Sequence, residues 1–135
     1  MIDILEMLKR HEGFKQFPYL CTAGKLTVGY GRNLDDVGLS EYEAEFLLLQ
    51  DIKHATKRLT TIFPNFYDFT VNRQAALIDM MVNIGSRKFL LFRKMIIAIK
   101  NNDWQEAAEQ LKDSKYYNQV PNRAEELKEL LRSEE

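Results

Sequence analysis

Apolar residues recur at helical spacing along most of this chain, while β-prone Thr, Val, Tyr and Gly gather between Tyr19 and Gly31. The pattern predicts a mostly helical protein with one small sheet near its start. Ile2, Leu5, Met7 and Leu8 predict a short amphipathic helix over Ile2–Arg10 that ends between His11 and Gly13, where glycine can take the left-handed stop. Glu12 then stands at a helix end. The run Tyr19-Leu-Cys-Thr-Ala-Gly-Lys-Leu-Thr-Val-Gly-Tyr-Gly31 breaks around Thr22-Ala23-Gly24-Lys25 and reads as a β-hairpin, with Cys21 and Thr27 flanking its turn on neighbouring strands.

Ser40 and Glu43 form a capping box, and Ala44, Leu47, Leu48, Asp51, Ile52, Ala55, Leu59 and Ile62 continue one helix until Pro64 stops it. Such a helix spans roughly 33 Å and could link two lobes. Thr70 caps a further helix, in which Ala75, Ala76, Leu77, Ile78, Met80, Met81, Val82 and Ile84 leave almost no polar face. It is predicted to be the buried central helix, ending at Gly85. Phe89 to Ile99 is another apolar segment, Asp103 with Glu106 resembles a second capping box opening a helix through Leu111, and Pro121 begins a last helix carrying Ala124, Leu127, Leu130 and Leu131. The expected architecture is α+β and mostly helical, a single domain over residues 1–135. A small β-hairpin lobe at about 13–40 is joined by the long helix to a helical lobe at about 64–135.

Composition narrows the class. With 45% hydrophobic and 29% charged residues, the chain belongs with soluble globular proteins. One cysteine excludes an internal disulfide, and Cys21, His11 and His54 are too few for a structural zinc site, so no metal and no cofactor is expected. Asp3, Glu6 and Glu12 interrupt the N-terminal apolar residues, and no run approaches a membrane span; the chain is expected to stay in the compartment where it is made, with no stable membrane insertion. The net charge of −1 hides a basic stretch, Lys53 to Lys100, with nine Lys/Arg against Asp68 and Asp79. Such a face suits an anionic polymer, wall or nucleic acid, as well as it suits plain solvation. Gly29-Tyr30-Gly31-Arg32-Asn33-Leu34 lacks the third glycine and the βαβ setting of a dinucleotide loop, so nucleotide binding is not expected.

A lone carboxylate beside a glycine carries little meaning, and a lone cysteine is ordinarily a small buried hydrophobe. Their order carries more. Glu12, Cys21, Thr27 and Gly29-Tyr30-Gly31, followed far downstream by Trp104 and by Tyr116-Tyr117-Asn118-Gln119-Val120-Pro121-Asn122-Arg123-Ala124, resemble the T-even phage lysozymes and the wider phage endolysin family of glycoside hydrolases. The resemblance spans nearly the whole chain and implies a lysozyme-like fold.

It further implies that Glu12 is the general acid, that Cys21 stands at a position held by Asp or Cys, and that the Thr27 hydroxyl holds the attacking water. Arg123 resembles the arginine beside the catalytic glutamate, with an ion pair to Glu125 or Glu126 as the structural alternative. Val82 and Asn83 match a region that lines the cleft near the glycan. Where the family often has His, this chain has Arg32, expected to pair with Asp35 or Asp36. The chemistry fits, because cleaving an acetal needs a protonated carboxylic acid and a water activator or stabiliser across the bond. Burial of Glu12 in a cleft would raise its pKa towards the working range.

The resemblance thus implies a muramidase cutting the β-1,4 bond between N-acetylmuramic acid and N-acetylglucosamine in peptidoglycan glycan strands. It is expected to be a monomer that binds no nucleic acid, accumulates in the host cytoplasm, and needs a holin to reach the wall. The alternatives are a lytic transglycosylase, also built on one essential Glu, and a catalytically inactive peptidoglycan-binding domain of the same fold.

Overall fold

Asp3 opens the first helix of the computed structural model, which describes residues 1–135: its Oδ1 accepts the Glu6 N–H at 3.3 Å. The helix, α1 (Ile4–Glu12), carries the cations Lys9 and Arg10 in its last turn, where they complement the helix dipole. Gly13 closes it at φ 70°, donating its N–H to the Lys9 carbonyl at 2.9 Å. A hairpin of β1 (Lys15–Leu20) and β2 (Leu26–Gly29) follows as predicted, with Tyr19 opposite Thr27 and Leu20 opposite Leu26. A third strand, β3 (Arg32–Asn33), pairs antiparallel with β2, Thr27 facing Asn33. Two residues carry no periodicity of their own, and only the pairing makes them a strand.

The chain forms two compact units, Met1–Leu47 and Leu48–Glu135, and the boundary falls inside α2 (Glu41–Ile62). Its capping box is complete: Glu43 N–H donates to Ser40 Oγ at 3.1 Å and Ser40 N–H to Glu43 Oε1 at 2.9 Å. Of the apolar positions expected along this helix, Ala55 and Leu59 are buried, whereas Ala44, Leu47, Leu48 and Asp51 are exposed. The continuous stripe is therefore not realised. The second half of α2 meets a hydrophobic core, while Met1–Leu47 buries a single residue, Thr27.

That core lies wholly in the second unit. A 3-10 turn (Phe66–Asp68) leads into α3 (Val71–Phe89), α4 (Arg93–Lys100), α5 (Trp104–Lys112), α6 (Lys115–Gln119) and α7 (Pro121–Arg132). Leu59, Phe63, Phe66, Leu77, Met80, Phe89, Met95, Leu111 and Leu131 are fully enclosed. Phe69 packs edge-on against Phe63, Phe66 and Trp104, and the Arg73 guanidinium covers the Trp104 ring at 4.6 Å. Thr70 caps α3 and Pro121 starts α7 as expected. Gly85, at φ 80° and ψ 167°, ends the first helical run of α3 as expected, and Ser86–Phe89 form a second, short run beyond the break. Ala75, expected among the apolar set, is exposed. At α5 only half of the capping box forms: Asp103 Oδ1 accepts the Glu106 N–H, but the Asp103 N–H is already given to the Ala98 carbonyl at 2.8 Å. No helix is long and apolar enough to cross a membrane.

The division of burial along α2 is testable by urea unfolding. Leu59→Ala, at a fully enclosed position, should cost roughly 2–5 kcal/mol, and Leu48→Ala, half exposed, less than about 1 kcal/mol. Equal costs would contradict the placement of the core.

Candidate active site

Glu12 is the last residue of α1, and its exposed side chain makes no hydrogen bond or ion pair. The other acids before Ser40 are all engaged. Asp3 caps α1, Glu6 pairs with Lys9 at 3.5 Å, Asp35 Oδ2 accepts the Leu26 N–H at 2.7 Å, and Asp36 pairs with Lys25 at 3.2 Å. The burial expected to raise the pKa of Glu12 is not what the structure has, since the helix end that carries it projects from a unit without a hydrophobic core. Its carboxylate rests instead on backbone between β2 and β3. A Cβ added at Gly31 would overlap Glu12 Oε2 and lie 2.8 Å from its carboxyl carbon. The same junction is held from the sides, where Phe14 and Tyr30 pack at 5.6 Å between ring centroids and the Lys9 ammonium lies 5.7 Å from the Tyr30 ring.

Cys21 and Thr27 meet across the hairpin turn. The turn is closed by Cys21 N–H to the Lys25 carbonyl at 2.9 Å and Gly24 N–H to the Cys21 carbonyl at 2.8 Å, with Gly24 at φ 75°. Thr27, 4% exposed, donates its hydroxyl proton to the Lys25 carbonyl at 2.9 Å, which leaves its oxygen as an acceptor. The Cys21 thiol is half-buried, and its pKa is lowered, first by the Lys25 N–H and then by the Ala23 N–H, which together outweigh burial; the Thr27 hydroxyl adds to the effect. Thr27 has one proton, so ionised Cys21 competes for it with the Lys25 carbonyl.

Arg32 pairs with neither Asp35 nor Asp36. Its guanidinium forks onto Glu43 at the start of α2, with Nη1 to Oε1 at 2.9 Å, Nη2 on Oε2, and Nη1 also donating to the Gly38 carbonyl at 3.1 Å. Asp35 and Asp36 are occupied by Leu26 and Lys25, and the bidentate geometry favours a carboxylate facing the guanidinium edge. Arg32 holds the Glu43 carboxyl at about 2, the Ser40 N–H assisting.

Val82, Asn83 and Arg123 belong to the second unit. Val82 lines a cavity of about 300 Å³ with Asp51, His54, Arg58 and Gly85, and Asn83 is exposed. Arg123 pairs with Asp79 on α3, Nε to Oδ1 at 2.8 Å, and not with Glu125 or Glu126. Glu125 is taken by the Tyr117 hydroxyl and Lys128. Beside this pair the Tyr116 hydroxyl is buried without a partner; burial pushes its pKa up, Arg123 opposing and Asp79 adding to the shift. The cations Lys53, Lys57, Arg58, Arg87, Lys88, Arg93, Lys94 and Lys100 are exposed and form no ion pair. Sequence reasoning missed the seat of Glu12 on Gly31 and the Arg32–Glu43 fork. The Gly-Tyr-Gly run and the capping glutamate were the available signals.

The Phage lysozyme family matches residues 9–132. "Probable T4-type lysozyme 1" of Dictyostelium discoideum is 30% identical over 90% of this chain and 89% of its own length, and "Probable T4-type lysozyme 2" of the same organism is 29% identical over the same shares. "Endolysin" of Acyrthosiphon pisum secondary endosymbiont phage 1 is 35% identical over 63% of this chain and 59% of its own length.

The Arg32–Glu43 fork makes stability depend on acid. A carboxyl near 4.5 in the unfolded chain and about 2 in the folded one contributes stability that is complete above 4.5 and disappears as pH falls towards 2. The melting temperature should therefore drop across that window more steeply for the wild type than for Glu43→Gln. Parallel pH profiles would contradict the pairing.

Proposed function

The chain belongs to the phage lysozyme family, and from that premise we propose that it hydrolyses the β-1,4 bond between N-acetylmuramic acid and N-acetylglucosamine in bacterial peptidoglycan, with Glu12 as general acid and Cys21 and Thr27 positioning water. The reading rests chiefly on the uncommitted Glu12 carboxylate, the one acid before Ser40 that neither caps a backbone nor pairs with a cation. It lies in the same unit as the thiol and hydroxyl that meet across the hairpin turn.

Protonated Glu12 donates to the bridging oxygen as the C1–O bond breaks, and positive charge develops on the sugar ring. Water then adds at C1 and loses its proton. The free chain leaves Glu12 exposed, so the bound glycan supplies the exclusion of water around the reacting atoms. At the second position a neutral thiol is a weaker electrostatic partner than an aspartate. The Lys25 and Ala23 N–H groups compensate in part, because they favour the thiolate, the form that can take up the water's proton. Thr27 keeps a lone pair free to receive a hydrogen bond from that water. Two groups that hold water favour hydrolysis over internal displacement by the muramyl 6-hydroxyl.

Clearing of a peptidoglycan suspension tests these roles. Glu12→Gln should lower the rate by about 10²–10⁴-fold, Cys21→Ala should lower it substantially, and Cys21→Asp should keep or raise it. Equal clearing by wild type and Glu12→Gln would remove the enzymatic reading, and full activity in Cys21→Ala would reduce the thiol to packing.

A further inference from the structure

Glu12 has three carbons between backbone and carboxylate oxygens and no hydrogen bond to fix them, yet a general acid must present its proton within hydrogen-bond reach of one oxygen. Something other than a polar partner has to restrict it. The neighbouring backbone does so through a space that is missing a side chain. At Gly31 an added Cβ would overlap Oε2, lie 2.8 Å from Cδ and 3.3 Å from Cγ, so the outer half of the Glu12 side chain occupies the volume a methyl group would need. Tyr30, in contact with Phe14 and the Lys9 ammonium, ties that stretch of backbone to the end of α1, so it cannot withdraw without losing those contacts.

We propose that Gly31 is a positioning residue of the reaction: its bare backbone is the seat on which the Glu12 carboxylate is held for proton donation. The proposal rests on the reading of Glu12 as the acid. The conflict at Gly31 is with the tip of a flexible side chain, so a methyl group there costs the fold little by collision; the carboxylate moves aside instead. What a substitution does cost the fold is backbone strain, because Gly31 has φ 74°.

The molecule contains its own control. Gly29, two residues earlier, has φ 68° and carries similar strain, but a Cβ there meets nothing within 4 Å. Gly29→Ala and Gly31→Ala should therefore lower the melting temperature by similar amounts while differing in catalysis. For Gly31→Ala, kcat should fall on the order of 100-fold with KM within about twofold, the scale expected when a reacting group is displaced by about 1 Å. The alkaline limb of its kcat profile, which reports ionisation of the acid, should also move. Gly29→Ala should leave kcat and that limb in place.

A cycle with Glu12→Asp adds a readout that a purely structural glycine would not move. Aspartate withdraws the carboxyl by one methylene, so adding Gly31→Ala to it should cost less than about fivefold. If Gly31→Ala melts below the assay temperature, Gly31→Asn, which tolerates positive φ, carries the same Cβ and should show the same loss of kcat. Wild-type kcat in Gly31→Asn, or equal kcat in Gly31→Ala and Gly29→Ala, would overturn the proposal. An active Glu12→Gln would instead overturn the assignment of Glu12 itself, so the two failures are distinguishable.

Discussion

The close approach of the Glu12 side chain to the Gly31 backbone is the constraint on which the small unit is organised. Helix α1 must end where it does, with Gly13 turning the chain, for Glu12 to project towards the sheet. The hairpin must return the chain so that the β2–β3 turn arrives beneath it, and Phe14 must meet Tyr30 to hold the junction. None of this is driven by a large apolar core, since Thr27 is the one buried residue before Leu48. Local devices carry the unit: an Asp cap, positive-φ glycines, a three-stranded ladder and the fork of Arg32 on Glu43. The helical unit has the opposite economy, with its enclosed Phe, Leu and Met residues supplying the burial that stabilises most small domains.

On the proposed mechanism, a thiol rather than an aspartate at the Cys21 position, where the resemblance implies either Asp or Cys, changes the electrostatics more than the geometry. A carboxylate there would be charged at neutral pH and would stabilise a developing cation through space. A thiol offers that only to the extent that it ionises, and the Lys25 and Ala23 N–H groups favour the anion. Thr27 couples to the same state because its single proton serves either the Lys25 carbonyl or the thiolate. On the proposed mechanism the turn, the thiol and the hydroxyl act together.

Much of this was legible in the sequence because local signals decide it. Ser40 with Glu43, Thr70 and Pro121 mark helix starts whatever the tertiary fold, and Thr22-Ala23-Gly24-Lys25 marks the hairpin turn that sets Tyr19 opposite Thr27 and Cys21 against Lys25. What escaped depends on contacts distant in sequence. Five-residue α6 and two-residue β3 are too short to show a period. Arg32 reaches Glu43 eleven residues on, past two nearer aspartates already engaged, and Arg123 reaches Asp79 across two helices. The apolar residues of α2 read as one stripe although only its second half finds a core. The exposure of Glu12 likewise follows from packing that no local pattern encodes.

The central claim is that Glu12 drives hydrolysis at the muramyl side of the glycan bond. Borohydride reduction of digested peptidoglycan followed by mass spectrometry of the fragments reads this directly. Wild type should release fragments ending in reduced N-acetylmuramic acid, and Glu12→Gln almost none. Fragments ending in reduced N-acetylglucosamine or in 1,6-anhydromuramic acid, or muramic acid ends released equally by Glu12→Gln, would contradict it.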